Sequence, residues 1–415
     1  MIILGIKIFI IKMNIQNVRG TQDFFNTEVK KFNCIIDIAK QNAKKYNFKE
    51  IITPVIEFSN LFERNLGDTS DIVSKEIYKF EDRGGNMLAL RPEFTAGVVR
   101  SFLNNGELNQ NLPQKLFSYG PIFRYDRPQK GRYRQFNQIN YEYIGNDSYL
   151  ADVEILLLAY NILQDLGLKN ISLEINSLGS QECKDNYSKA LQNYLIEYKD
   201  KLSQDSQERL LKNPLRILDS KDENDKLLLQ NSPKITEFYT EKDRIFFDNI
   251  LKMLDELNIK YIVNPSLVRG LDYYTSTVFE FTTTDLGAQS TVLAGGRYDS
   301  LIEQLGGKPT SAVGFAGGVE RMMLLLNDNM IKQEEIIAVI PVTDNEINYC
   351  FNIVNKLRQK NKIVEFIYND KFKNKMEKMN KIKAEYAIIV GEDEIKNNKL
   401  KIKNLSTGKE EDFVC

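Results

Sequence analysis

Three arginines in this chain stand in apolar company, where a buried cation needs an anionic partner. Arg124 closes the run FSYGPIFR, Arg269 sits beside Gly270 in LVRGLDYYTSTVFEF, and Arg321 follows Glu320 in AVGFAGGVERMMLLL. Taken one at a time, each is open to a structural ion pair. Converging on a triphosphate, they would stabilise charge developing at phosphorus, and loss of one such preorganised donor typically costs ~3 kcal/mol of barrier. Arg321 falls in the first turns of an apolar helix, against the helix dipole, so an anionic ligand such as a phosphate explains it better than helix stability does.

Polar groups able to hold something small lie in other segments. Residues 117–142 read as strand, long basic turn and strand, with Phe136, Gln138, Asn140 and Glu142 alternating with their neighbours at period two. The turn carries Arg127, Lys130, Arg132 and Arg134, which suits a polyanion or equally a solvated hairpin tip. In LRPEFTAG, Glu93 and Thr95 follow Pro92 at the start of a helix, as capping groups or as ligand contacts. Tyr273 and Tyr274 lie in an apolar run where a buried hydroxyl needs a partner. The glycines of LAGGRYD, together with Gly314, Gly317 and Gly318, let backbone approach a ligand or another strand closely. Neither GxxxxGK(S/T) nor GxGxxG occurs.

The 415 residues include no histidine, which removes Ser-His-Asp triads, Cys-His dyads, HExxH zinc sites and histidine general bases from consideration. Chemistry must come from carboxylates, arginines, tyrosines, amides or the substrate itself. Cys34, Cys183, Cys350 and Cys415 are scattered, which argues against a disulfide framework or cysteine zinc site and fits a reducing compartment. A net charge of −1 provides no whole-protein field for nucleic acid, so such a partner would be held by local patches. Residues 1–12 are apolar but too short to span a bilayer and are interrupted by Lys7 and Lys12; Met13 is the expected natural start, a genuine hydrophobic extension being the alternative.

The elements that must position these groups follow from periodicity. Helical spacing covers 28–46, a strand is expected at 51–52 ending at Pro54, a hairpin over 80–92 turning at Gly84–Gly85, and a helix over 93–103. A strongly apolar helix over 152–166 precedes a strand at 171–175. Residues 180–257 are charged and helical in period, an insertion rather than a core sheet. Strands return at 261–264, 267–282 and 291–293, and 311–326 reads as strand, glycine turn and helix. Beyond residue 329, strands at 336–342, 363–368 and 386–390 alternate with helices at 345–360 and 372–383 before a short hairpin, a small α/β domain with a largely parallel sheet.

The order and spacing of these segments resemble the three motifs of class II aminoacyl-tRNA synthetases: 28–54 is similar to motif 1, 117–142 to motif 2 and 312–326 to motif 3. VRGTQDF at 18–24, RPQKGRYRQF at 127–136, RGLDYYT and AGGRYD resemble segments of bacterial-type histidyl-tRNA synthetases, and the likeness runs from about Asn14 to the C-terminus. It is the combination that is specific. The resemblance implies an α+β fold: a class II antiparallel-sheet catalytic domain over 13–327 with a helical insertion at about 180–257 that embraces the acceptor stem, residues 1–12 as a possible extension, and a C-terminal α/β anticodon-binding domain over 331–415. It further implies a cytoplasmic homodimer, not membrane-bound, that joins L-histidine to tRNA(His) using ATP and Mg²⁺.

The same resemblance implies roles for residues. Arg124, Arg269 and Arg321 would be the catalytic and ATP-binding cations, with Arg269 neutralising the α-phosphate. Glu93, Thr95 and Gln138 would hold the ammonium end of histidine, Glu142 and Tyr274 would bracket the imidazole nitrogens, and Tyr273 would lie nearby. Arg127, Gln129, Lys130 and Arg132 would contact the tRNA acceptor end, and Lys373, Lys375 and Lys378 the anticodon arm. No metal site built from protein side chains alone is expected. Polar readout of both ring nitrogens can discriminate by roughly 10⁴–10⁵, because a wrong amino acid leaves buried groups unpaired. Departures from the family pattern are Asn137 where histidine is common, Asn140 where glycine is common, and Phe94 in place of a glycine. The alternative is a synthetase-like regulatory subunit of ATP phosphoribosyltransferase, which usually loses part of the basic loop and the C-terminal domain; both are present here.

Overall fold

The computed structural model describes residues 15–66, 75–287 and 290–413, so the expected extension at 1–12 and the start at Met13 lie outside the described residues. The chain separates between Ile331 and Lys332 into two compact units.

The first unit is built on an eight-stranded sheet. Its spatial order is Lys49–Glu50, Gln114–Phe123, Gln135–Ile144, Ala312–Gly318, Thr291–Arg297, Thr275–Thr283, Ile171–Ser177 and Tyr261–Val263. The six inner strands pair antiparallel, and the two short edge strands pair parallel. The strand Gln135–Ile144 shows how the sheet divides core from site. Ile139, Tyr141 and Tyr143 join the hydrophobic core with Ile35, Ile36 and Ala39 of the Thr27–Lys45 helix, while Gln138 and Glu142 line a cavity on the other face. The period-two alternation of a strand requires this split. Tyr141 stacks between Phe117 and Phe315 at centroid distances of 4.7 and 4.8 Å, and its hydroxyl donates to Ala39 O at 2.8 Å.

The helices Thr27–Lys45, Tyr149–Asp165 and Glu241–Glu256 contribute to this same core. The Tyr149–Asp165 helix is capped by Ser148 Oγ, which accepts from Leu150 N–H, and it buries residues on nearly every side. One of them is Asp152, fully buried, which takes the Nε and Nη2 of the equally buried Arg297 from AGGRYD. The Arg297 guanidinium also donates to Asn146 O at 3.1 Å and Ser148 O at 3.2 Å. A smaller antiparallel sheet of Ile56–Phe58, Met87–Leu90 and Tyr78–Glu81 holds the expected hairpin, with Gly85 at a φ of +81° that favours glycine.

Two strand expectations need correction. The first assigned strand is Lys49–Glu50 rather than 51–52: the carbonyls of Thr53 and Pro54 turn to the buried guanidinium of Arg91, at 2.9 and 3.4 Å, instead of to a ladder. The strand expected over 267–282 begins only at Thr275, because the preceding carbonyls are taken by side chains: Leu267 O by Asn176 and Arg269 O by Arg216. Over 180–257 the chain is helical as expected, but it serves two cores. Leu191, Leu195, Leu210 and Ile235 pack with Val268, Tyr273 and Tyr274, whereas Phe247, Ile250 and Leu254 pack with the main cluster.

The second unit is a five-stranded sheet in the order Ile363–Phe366, Ile336–Pro341, Tyr386–Val390, Leu400–Asn404 and Glu410–Phe413. The first three are parallel and the terminal hairpin adds two antiparallel strands at the other edge. Ile337 and Val339 join one cluster with Cys350 and Leu357 of the Ile347–Gln359 helix; Ala338 and Ile340 join another with Met379 of the Phe372–Lys381 helix. A central parallel strand is covered on both faces in this way. Lys375 shares the inner face of its helix with Met379, one turn on, and donates to Pro341 O at 3.0 Å. It is therefore buried and unable to meet a phosphate, a correction to the sequence expectation, while Lys373 and Lys378 are exposed. Among the described residues no helix is long and apolar enough to cross a membrane.

The Asp152–Arg297 pair carries a stability prediction. Asp152→Ala removes the fully buried carboxylate from Arg297 and leaves Asp299, 3.2 Å from Nη1, as its remaining ionic partner, so the loss falls toward the lower end of the roughly 3–5 kcal/mol typical of a broken buried pair. Denaturant titration followed by a probe in the first unit should register a loss of that order.

Candidate active site

A cavity of about 290 Å³ lies against the sheet face opposite the core helices. Its floor comes from even-numbered residues of Gln135–Ile144 and from the small residues Gly314, Ala316 and Gly318 on the neighbouring strand. Register explains the smallness: Glu142 pairs with Gly314, and a side chain at Gly314 would collide with the Glu142 carboxylate. Gly296 similarly leaves room for the ring of Tyr274.

Glu142 is the centre of a buried polar network. One carboxylate oxygen accepts from Thr95 Oγ1 at 2.6 Å and the other from the Tyr298 hydroxyl. Tyr273 and Tyr274 line the same cavity with their rings 4.7 Å apart, and Tyr273 also packs edge-on against Tyr298 at 5.7 Å. Burial pushes Glu142 up from 4.5 to about 7, with the nearby Glu93 charge adding to the shift and its hydrogen bonds opposing it. Glu93 is raised too, chiefly by burial, although its carboxylate accepts the N–H groups of Thr95 at 2.5 Å and Ala96 at 2.7 Å at the start of the Thr95–Asn104 helix. Glu93 therefore caps a helix and lines the cavity at once. Gln138 also faces the cavity, and its buried Oε1 has no hydrogen-bond partner.

The three arginines line the same cavity. Arg124 donates Nε to Pro92 O at 2.9 Å and lies over the Phe136 ring. Arg321 donates to Gly131 O at 3.1 Å and to Thr291 O at 2.6 Å. Arg269 pairs with Glu280 through Nη1, and its buried Nε has no hydrogen-bond partner. Burial lowers the pKa of all three; Arg321 falls to about 10, chiefly through burial, with repulsion from Arg132, Arg124 and Arg269 adding to the shift. Cations that face one cavity and repel one another favour an anionic ligand among them.

The cavity thus brings together Glu93, Thr95, Arg124, Gln138, Glu142, Arg269, Tyr273, Tyr274 and Arg321. Of the loop residues, Arg127, Gln129 and Lys130 are exposed. Arg132 is not purely outward: it pairs with Asp126 and Glu76 and lines the cavity. Three participants escaped the sequence reading. Tyr298 holds Glu142 but sits at the end of a strand whose register only pairing reveals. Arg91 stacks 4.2 Å from the centroid of the Phe94 ring and donates to Pro121 O. Glu320 lines the cavity and is held by Asn137, whose main-chain N–H donates at 2.9 Å and whose side chain donates at 2.8 Å. The charge pair in GVER was the available signal for Glu320.

Among the described residues, no group of three or more His, Cys, Asp or Glu side chains is placed to hold a metal ion. The carboxylates that line the cavity are Glu93, Asp126, Glu142 and Glu320.

With this geometry in hand, comparison with known proteins is direct. Residues 20–322 match the Histidyl-tRNA synthetase family, and residues 337–413 match the family Anticodon binding domain. The chain is 47% identical over 399 residues to a Histidine--tRNA ligase of Wolbachia pipientis subsp. Culex pipiens, covering 96% of this chain and 97% of that one. It is 46% identical over 402 residues to a Histidine--tRNA ligase of Rickettsia bellii, covering 96% of each. The apo S. aureus histidyl-tRNA synthetase structure superposes with a TM-score of 0.81 at 34% identity, covering 96% of this chain and 97% of that one. An ATP phosphoribosyltransferase regulatory subunit/histidyl-tRNA synthetase from Bacillus halodurans shares the fold, at 20% identity and a TM-score of 0.66 over 91% of this chain and 98% of that one.

The raised Glu142 pKa predicts a pH dependence of the ligand-free protein. Between its ordinary 4.5 and about 7, the unfolded chain has lost the proton while the folded chain keeps it, so stability falls as pH rises through that window and levels off above it. The slope is roughly 1.4 kcal/mol per pH unit at most for one group. Glu142→Gln should remove this contribution, so thermal melts without histidine should show the variant gaining on wild type from pH 5 to pH 7.5.

Proposed function

The chain belongs to the histidyl-tRNA synthetase family, and from that membership we propose how its side chains divide the work. It is a histidine–tRNA ligase: L-histidine and ATP give histidyl-adenylate and pyrophosphate, and the histidyl group then passes to the 3′ end of tRNA(His). The observation that best supports the residue roles is the convergence of three mutually repelling arginines and a buried, partly unsatisfied polar network in one cavity.

Histidine binds at the polar end. Its ammonium is held by Glu93, Thr95 and the unpartnered Gln138 Oε1. Its imidazole lies between Glu142 and Tyr274, with the Tyr273 ring packed against Tyr274 and with Thr95 and Tyr298 fixing Glu142. The histidine carboxylate is already ionised at neutral pH, so it attacks the α-phosphorus without an enzymic base. A P–O bond forms to the carboxylate oxygen, the bond to the bridging oxygen breaks, and pyrophosphate leaves. Arg269 donates to the α-phosphate through its unpartnered Nε, and Arg124 and Arg321 clamp the ATP. Such fixed donors act most strongly on charge that grows in the transition state. Phe136 supplies an aromatic wall to the same cavity. Magnesium would neutralise phosphate charge, held mainly by ATP oxygens with a cavity carboxylate such as Glu320 as a protein donor.

In the second step the terminal ribose hydroxyl of tRNA attacks the adenylate carbonyl and AMP departs. Arg127, Gln129, Lys130 and Arg132 meet the acceptor end, and the unit from Lys332 onward takes the anticodon arm, with Lys373 and Lys378 exposed for phosphates. The catalytic domain spans 13–327, with an insertion at about 180–257, and the anticodon-binding domain spans 331–415. A second copy of the chain covers the exposed apolar residues Ile52, Ile56, Phe58, Phe80 and Met87, giving a homodimer in the cytoplasm. The regulatory-subunit alternative has less support: that fold match is 20% identical, against 47% for a ligase.

Amino-acid-dependent pyrophosphate exchange across all twenty amino acids tests the reading; exchange should occur with histidine, and its absence would overturn the assignment. Arg269→Ala should lower adenylation by roughly 10²-fold while histidine binding stays near wild type, because the donor acts mainly on the transition state. Equilibrium binding and single-turnover adenylation separate the two.

A further inference from the structure

The loop between the Tyr261–Val263 and Thr275–Thr283 strands brings Arg269, Tyr273 and Tyr274 to the cavity without strand pairing of its own. Its main-chain carbonyls are gripped from the helical segment. Arg216, in the 3₁₀ turn Pro214–Asp219, donates Nη1 to Arg269 O at 3.0 Å and Nη2 to Gly270 O at 2.7 Å. Its Nε lies 3.5 Å from Asp272 Oδ1, which also accepts from Asn213 Nδ2 at 2.9 Å. Lys184, on the Gln181–Ile196 helix, donates Nζ to Asp272 O at 2.7 Å and to Tyr274 O at 2.8 Å. Two cations thus fix the carbonyls of residues 269, 270, 272 and 274, and both cations belong to the helical segment.

We infer that Arg216 and Lys184 are positioning residues for the adenylation step, so that the helical segment sets the geometry of the histidine and α-phosphate contacts. The inference rests on the roles assigned above to Arg269, Tyr273 and Tyr274. A planar guanidinium fork on adjacent carbonyls fixes the tilt of the peptide between them, which a single ammonium does not do. Arg216 therefore governs where the Arg269 side chain starts. Lys184 governs the Asp272–Tyr274 turn, and with it the two tyrosines beside the imidazole. This work falls in the step that precedes tRNA charging. A helical segment serving the tRNA alone would have no bearing on it.

The test is histidine-dependent pyrophosphate exchange, with active sites counted by adenylate formed per chain and folding checked by thermal melts. Reactant misplacement of about 1 Å can cost roughly 10²-fold, so Arg216→Ala should lower kcat per active site by about 10- to 100-fold with little change in KM for histidine. Arg216→Lys keeps the charge but lacks the fork, and should not restore kcat. Lys184→Met should raise KM for histidine by about tenfold, since it frees the tyrosine turn, and leave kcat closer to wild type. The proposal is overturned if exchange per active site is unchanged in these variants, even with tRNA charging impaired. It is also overturned if all of them merely lose active sites and melting temperature together. Wild-type exchange with histidine is the control that separates this failure from failure of the assigned function.

Discussion

Several guanidinium groups at and around the cavity are oriented by neutral carbonyl oxygens. Arg124 leans on Pro92 O, Arg321 on Gly131 O and Thr291 O, Arg91 on Thr53 O and Pro121 O, and Arg216 on Arg269 O and Gly270 O. A carbonyl orients a guanidinium and offsets part of its desolvation without cancelling its charge. Burial lowers the pKa of Arg124, Arg269 and Arg321. The contrast is Arg297, which meets Asp152 directly in the core and has no charge to spare for a ligand. Arg269 stands between the two cases, with Nη1 on Glu280 and Nε unpartnered.

This arrangement suits a reaction whose substrate supplies its own nucleophile. With no histidine in the chain and the nucleophile supplied by the substrate, placement and charge carry the adenylation step. The sheet makes placement possible: one face of Gln135–Ile144 is locked by Tyr141 between Phe117 and Phe315, so the other face presents Gln138 and Glu142 with little freedom. Phe94, Asn137 and Asn140, the positions expected to depart from the family pattern, differ in how they are held. Phe94 is buried and supplies a ring beneath the Arg91 guanidinium. Asn137 anchors Glu320 through both main chain and side chain. Asn140 is buried, with Nδ2 3.5 Å from Ser118 Oγ, while its Oδ1 has no hydrogen-bond partner.

Much of the site was legible because its signals are local. An arginine in an apolar run, polar residues alternating along a strand, and paired glycines each break a pattern within a few residues, and all nine of the expected histidine and ATP contacts line one cavity. What was not legible depends on partners distant in sequence. Lys375 and Lys378 look alike in a lysine-rich helix, yet helical phase against the sheet buries one and exposes the other. Residues 267–274 have strand composition, but side chains from the helical segment take their carbonyls.

The sequence by itself determined the order of elements, the residue types available for chemistry and the chemistries excluded, because periodicity and composition are properties of the chain. Tertiary structure decided which charges are neutralised and which remain available. Asp152 claims Arg297 across 145 positions, Asn137 claims Glu320 across 183, and Tyr298 reaches Glu142 across 156. The free energy of a buried charge depends on what lies within a few ångströms of it, and only the folded sheet brings those partners together.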